Sequence, residues 1–369
     1  MRRITLLYLG RKGAGNTYSI EMTNALLKRG CIIQCILSKE IENKSEWENL
    51  RKEFSSLHIL YINTYTNKFS FVLSLITGLF KYQKEKAQIK AFKPDFIYIP
   101  MLSLLSFYLI PSRIPIVSTI HDVEQHMGEK NYLIARLFNI TIKRSHKIIV
   151  LSKKFIEQVH LKYQIDKQNI IVIPHACFTS YLPKQYKPNL KTIHKRILFF
   201  GRIYPYKGLS ILLQALSIVI PQIPNIKLRI AGNGEITYEE KSLINKMQKN
   251  IELHIGWIDD KEISSLIEDV DMLMLPYIEA SQSGVIPLSY SFGKMVVATN
   301  VGGLSEQIYN NTGLLIKPNN IKELANTIIK LYQHPEDIIQ MGEKAYITAN
   351  EILNWNHSAD ILLEMTKNL

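Results

Sequence analysis

The sequence predicts an α/β protein made of two Rossmann-like, doubly wound parallel-sheet domains facing across a cleft. Three observations lead there. Short apolar runs alternate with helix-length segments along the whole chain. The alternation comes in two series, separated at 179–194 by a polar, Lys-rich, Pro-containing stretch with the signature of a linker. Small residues and fixed cations recur just after the strand-like runs of the second series. An open parallel sheet builds an anion pocket at its carboxyl edge in this way.

In the first series, the runs at 4–9, 31–37, 57–62, 96–100, 115–120, 147–151 and 170–174 are read as strands. A helix over about 17–28 stops at Arg29-Gly30, and Ser152 is expected to cap the helix that follows it. In the second series, strands are expected at 196–200, 227–231, 251–255, 272–276 and 295–299, with helices at 209–220, 321–333 and 335–347. The expected division is a first domain at 1–178, a linker at 179–194 and a second domain at 195–355, with a last helix (356–369) packing back on the first domain.

A length of 369 residues suits two domains, and 46% hydrophobic residues suits ordinary cores. The formal charge of +13 favours anionic partners such as phosphates or an acidic membrane face. The Lys residues are scattered and lack interleaved aromatics on one face, which speaks against nucleic acid. Cys31, Cys35 and Cys177 are too few for a disulfide framework. No apolar run reaches the ~18 residues of a membrane-spanning helix, and the apolar amino-terminal run is too short for a signal sequence. The expected location is the cytoplasm, with attachment to the cytosolic membrane face as the variant. Residues 69–93 favour that variant: an apolar stretch from Phe69 precedes Lys81, Lys84, Lys86, Lys90 and Lys93, as in an amphipathic helix at an anionic surface.

Chemistry concentrates at a few points. Arg202 and Lys207 follow a strand and open a helix, where a guanidinium fork and an ammonium point charge stabilise a departing phosphate. Gly201, Gly232 and Gly234 allow close backbone approach. Ser283-Gly284-Val285 starts a helical pattern and offers backbone N–H groups to a phosphate. Glu279 sits in the loop before it, where a carboxylate could bind sugar hydroxyls. The loop from Gly10 through Gly13 to Gly15 lacks both the nucleoside-triphosphatase ending and the full dinucleotide fingerprint, so it reads as a turn that lets a ligand sit close to backbone. His121 and Asp122 stand at a strand end, where the His could donate a hydrogen bond to a sugar or phosphate and Asp122 could orient it or the acceptor. His121, His126, His146, His160 and His175 lack zinc spacing, and no Asp-x-Asp stands at a strand end, so no metal is expected.

Gly201-Arg202-x4-Lys207-Gly208, Ala231-Gly232-x-Gly234, Gly256-Trp257-Ile258, Leu275-Pro276-Tyr277 and Thr299-x2-Gly302-Gly303-x2-Glu306 resemble the carboxyl-terminal half of the family-four retaining glycosyltransferases of GT-B fold. The first half is similar through its glycine loop, Ile120-His121-Asp122 and the strand around Val150. The resemblance implies metal-independent sugar transfer with retention, from a nucleoside-diphosphate sugar, UDP rather than GDP. The acceptor would be a glycan or lipid-linked glycan of surface polysaccharide synthesis. By the same resemblance, Arg202 and Lys207 match the family's diphosphate cations. Ser283, Gly284 and Val285 match its phosphate contacts, and Trp257 and Ile258 lie by the base. Gly13, Gly15 and Glu306 fall on the donor side, and His121 matches the His that contacts the transferred sugar. The chain departs from the family at its paired Glu positions, which hold Ala280 and Leu288, with Glu279 one place from the first. A nucleotide-sugar 2-epimerase and a non-catalytic sugar or nucleotide receptor are the alternatives.

Overall fold

The computed structural model describes residues 1–123, 132–183 and 185–369. It divides into two compact units: 1–174 with 355–369, and 175–354.

The first unit holds seven parallel strands: β1 (Arg3–Tyr8), β2 (Ile32–Ser38), β3 (Leu57–Ile62), β4 (Phe96–Ile99), β5 (Ile116–Ile120), β6 (Lys147–Val150) and β7 (Ile170–Val172). Their order is β3-β2-β1-β4-β5-β6-β7, so the sheet reverses direction of growth between β1 and β4. At such a switch point the loops leaving the carboxyl ends diverge and leave room for a ligand. The central strands β1 and β4 are buried on both faces, as expected of a parallel sheet covered by helices; Ile4, Leu6, Leu7, Ile97 and Ile99 are all fully buried. The first helix, Ala14–Lys28, ends as expected at Arg29-Gly30, with Gly30 left-handed at φ 75° and its N–H donating to the Leu27 carbonyl. Helix Trp355–Met365 lies on it, with Trp355 edge-on to Tyr18 at 4.8 Å and Arg29 paired with Asp360.

The second unit holds β8 (Arg196–Phe200), β9 (Lys227–Gly232), β10 (Ile251–Ile255), β11 (Met272–Leu275), β12 (Met295–Thr299) and β13 (Gly313–Ile316), ordered β10-β9-β8-β11-β12-β13 and all parallel. Its switch point lies between β8 and β11. The core is built from Ile197, Phe199, Leu228, Ile230 and Met274 against the helices Leu209–Val219 and Ile321–Gln333. Residues 188–194 pack on this unit: a Cβ on Gly293 would stand 2.9 Å from Leu190, and the His194 N–H donates to Asp271 at 2.8 Å.

Two details differ from the sequence reading. β13 is an additional edge strand; its apolar run is only four residues long, and three of the four are partly buried or exposed. Ser152 does not cap the helix Phe155–Tyr163. Its hydroxyl accepts from the Lys154 N–H at 3.2 Å, forming a local turn before the helix begins. No described helix is long and apolar enough to cross a membrane.

Candidate functional site

In the second unit the loops leaving β8, β9, β11 and β12 interlock at the carboxyl edge, and glycines make the interlocking possible. Gly232 has φ 146°, and a Cβ there would fall 1.8 Å from the Gly201 carbonyl oxygen. Gly234 has φ 152°, and its Cβ would fall 2.2 Å from the Ile203 oxygen. The β8 and β9 loops are in fact zipped by an isolated bridge between Ile203 and Gly234, with the Ile203 N–H donating to Asn233 at 2.8 Å. Gly208 (φ 73°) presses on the Pro276 oxygen, and Gly302 (φ 48°) on the Ala280 oxygen. These glycines serve contact between loops, which then hold the charged side chains in place.

Arg202 is exposed and lies 5.2 Å from the Tyr204 ring centroid. Lys207 closes a single 3₁₀ turn, Pro205–Lys207, and its ammonium sits over the Tyr277 ring at 3.8 Å. The electron-rich ring face holds the cation without neutralising it. Tyr277 itself is buried; its carbonyl accepts from the Thr299 hydroxyl at 2.5 Å, and its hydroxyl lies 3.4 Å from Ser283 Oγ. Half-buried Glu279 follows two residues on. Ser283 is clamped by Gln307, whose amide accepts from the Ser283 N–H at 2.8 Å and donates to its carbonyl at 3.0 Å. Gly284 and Val285 enter the helix Val285–Ser291, and a Cβ on Gly201 would meet Val285 at 3.7 Å. Arg202, Lys207, Glu279 and Ser283–Val285 thus stand on the loops of the β8/β11 switch point. Glu306, on the short helix Leu304–Gln307, belongs to the adjoining β12 loop. Trp257, 55% exposed, and Ile258 follow β10, where the Gly256 N–H donates to the Gly232 carbonyl at 3.0 Å.

Three residues absent from the sequence reading of the site belong to it. Tyr277 seats Lys207, Gln307 braces Ser283, and His175, buried, is the nearest neighbour of the space a Gly284 side chain would take, at 3.7 Å. Tyr277 lies in the quoted Leu-Pro-Tyr motif and Gln307 directly follows Glu306, so both had a signal. His175 had none.

In the first unit the switch point between β1 and β4 carries the glycine loop. The Gly13 N–H donates to the Glu42 carboxylate at 3.2 Å, and a Cβ on Gly15 would lie 2.6 Å from the Met101 sulfur. A diphosphate at this loop would face a carboxylate, so the loop suits a neutral, hydrogen-bonding ligand better. His121 follows β5, half-buried, with its ring edge-on to Tyr18 at 5.0 Å. Its Nε2 lies 2.8 Å from the Pro100 carbonyl oxygen, which only accepts. The proton therefore sits on Nε2 and is already used. The neutral ring offers Nδ1 as an acceptor, not the donor that the sequence suggested. Asp122 next to it is exposed.

Burial holds the His121 imidazole below its ordinary 6.5, against the opposing pull of the Pro100 carbonyl and Asp122. As pH falls through that ordinary value the unfolded chain takes a proton before the folded one, so stability drops on acidification. Urea melts of His121→Asn between pH ~7 and ~5.5 should show a flatter pH dependence than the parent. Identical slopes would remove His121 from the acid sensitivity.

Among the described residues no group of three or more His, Cys, Asp or Glu is placed to hold a metal ion. His126 lies outside the described residues.

A family model for glycosyl transferases group 1 matches residues 194–334, and one for glycosyltransferase family 4 matches residues 15–180. The chain belongs to the family-four glycosyltransferases, and its two parallel-sheet units have the GT-B fold. A D-inositol 3-phosphate glycosyltransferase of Pseudarthrobacter chlorophenolicus is 29% identical over 174 residues, covering 46% of this chain and 41% of that protein. A glycogen synthase of Mycobacterium tuberculosis is 24% identical over 265 residues, covering 67% and 62%. The chain therefore matches less than two thirds of the length of these relatives. Among solved structures, a glycosyltransferase from Rickettsia africae has a TM-score of 0.70 at 22% identity, over 100% of this chain and 99% of that one. Anabaena HepE in complex with UDP-glucose has a TM-score of 0.72 at 17% identity, over 100% of both. At these identities the structural likeness concerns the fold.

Proposed function

We propose that the chain transfers a sugar from a nucleoside-diphosphate sugar, UDP before GDP, to a glycan or lipid-linked glycan acceptor of surface polysaccharide synthesis. The reading takes the reaction as retaining and metal-independent, in the cytoplasm or at the cytosolic face of a membrane. The observation that carries it is the pair Arg202 and Lys207 at the β8/β11 switch point, one of them seated on Tyr277. In this reading the two cations take up the charge that develops on the diphosphate as the bond from the anomeric carbon breaks, which is the service a metal gives elsewhere. A diphosphate oxygen, released on the face where the acceptor hydroxyl attacks, accepts the acceptor's proton; no separate base is then needed. Glu279 binds sugar hydroxyls, Ser283–Val285 the phosphates, Trp257 and Ile258 the base, and Glu306 assists on the donor side. His121 accepts from a sugar hydroxyl through Nδ1, with Asp122 on the acceptor side. The bound UDP-glucose of the Anabaena protein supports a uridine donor. A 2-epimerase would need further acid–base carboxylates beside Glu279, and the curated relatives named above are transferases and a synthase.

The test is thermal melting in a panel of nucleotide-sugars. A ligand that binds only the folded chain raises its melting temperature, by about 2.7 kcal/mol of stability at one hundred times its dissociation constant. A uridine-diphosphate sugar is expected to stabilise most, and a panel with no hit, or one led by bare sugars, would overturn the reading. Glu279→Ala should weaken binding of the sugar nucleotide by ~10-fold while leaving the bare nucleotide nearly unchanged, as loss of one charged hydrogen bond implies. Titration calorimetry reads both, and equal losses would remove the sugar contact.

A further inference from the structure

Helix Lys68–Lys81 is apolar on both sides. Its amino terminus is held by a capping box between Asn67 and Ser70. The inner stripe runs through Phe71, Ser74, Leu75 and Gly78: Phe71 meets Tyr65 at 4.9 Å, Ser74 is buried, Leu75 joins the core of the first unit, and a Cβ on Gly78 would strike the Tyr108 ring at 2.5 Å. The opposite stripe has the same helical spacing and no cover. Phe69 is 79% exposed, Ile76 73% and Phe80 85%, with Val72, Leu73 and Leu79 also exposed beside them. An outer helix face in water is ordinarily polar, and this one is the more apolar of the two.

The charge along 68–93 has nearly one sign. Glu85 is the one acidic residue in 68–93, and its Oε2 is buried. Lys84, Lys90 and Lys93 are exposed on or just past the next helix, Gln83–Phe92. Lys90 and Lys93 line a cavity of about 460 Å³ together with Ser112 and Arg113. Among the described residues none of these four cations has a carboxylate partner. Lys81 is different: its ammonium donates to the Thr64 carbonyl and to Ser74 Oγ, both at 2.9 Å, and is spent on the fold.

We propose that this surface docks on an anionic lipid leaflet, with Phe69, Ile76 and Phe80 entering the acyl boundary and Lys84, Lys90, Lys93 and Arg113 meeting the phosphate headgroups. The exposed aromatic and aliphatic side chains supply the insertion and the unpaired cations the preference for anionic lipid. A second copy of the chain would bring like charge onto like charge at the same face, which disfavours it as the occupant. The docking rests on the membrane-face location proposed above and is measured without turnover, so its failure leaves the sugar transfer itself standing.

The test is flotation of the full chain with phosphatidylcholine vesicles, with and without phosphatidylglycerol. The parent should float with the mixed vesicles and retain part of that binding in high salt, because insertion is not screened. Phe69→Ser/Ile76→Ser/Phe80→Ser should lower the partition coefficient by more than ~10-fold, as removing three exposed apolar anchors implies. These positions face solvent, so the variant should keep the parent's circular dichroism and melting temperature. Lys84→Glu/Lys90→Glu/Lys93→Glu should abolish the preference for anionic vesicles, and Lys81→Ala should leave that preference unchanged. Flotation of the serine variant equal to the parent's overturns the proposal. So does a parent that fails to float and instead dimerises through this face.

Discussion

Lys207→Ala is expected to lower turnover by ~10²–10³-fold with the nucleotide-sugar held at saturation, and Arg202→Ala by a similar order, because each removes a fixed cation from the departing diphosphate. The two losses should differ in kind. Lys207 is pre-placed on the Tyr277 ring at 3.8 Å, so its charge needs no reorganisation when the bond breaks. Arg202 is exposed beside Tyr204, so the ligand must also desolvate its guanidinium on binding and part of its effect should appear in KM. Tyr277→Leu should reproduce a fraction of the Lys207→Ala loss, since the ammonium keeps its charge and loses its seat. Steady-state kinetics on the purified chain separates these cases. Unchanged turnover in both alanine variants would reject the diphosphate role.

Gly232→Ala is expected to destabilise the second unit by about 2–6 kcal/mol, the sum of a strained backbone at positive φ and an overpacked contact. The contact is with a main-chain oxygen, the Gly201 carbonyl, which has no rotamer through which to yield. Gly256 provides the control: its φ is 143°, nearly that of Gly232 at 146°, and nothing lies within 4 Å of its Cβ position. Gly256→Ala should therefore lose only the backbone share, about 1–3 kcal/mol. Denaturant melts of both variants give the difference directly. Equal losses would mean that φ alone sets the cost and that the β8 and β9 loops part freely.

The strands were legible because burial on both faces writes continuous apolar runs, as in β1, β5 and β12, whose residues are almost all inaccessible. β13, Gly313-Leu314-Leu315-Ile316, escaped although it is apolar, because a run of four residues is too short to tell a strand from an apolar turn or helix end. Arg202 and Lys207 were legible as cations following a strand. The glycines near them were legible as glycines, but their reason was not: Gly232 and Gly234 press on carbonyls of a neighbouring loop, and that partner is invisible in one dimension. The His121 tautomer depends on the Pro100 carbonyl, 21 residues away in sequence, so no local pattern encodes it. Lys81 is indistinguishable in sequence from its basic neighbours, and only its inward bonds to Thr64 and Ser74 set it apart.

The helix Trp355–Met365 gives the chain an order of assembly. Because 355–369 complete the same unit as 1–174, everything from 175 to 354 is an insertion within that unit. A ribosome therefore delivers the whole inserted body before it delivers Trp355, the partner of Tyr18. During synthesis the later-coded body can close first, while the earlier-coded one waits with the Tyr18 surface of its first helix uncovered.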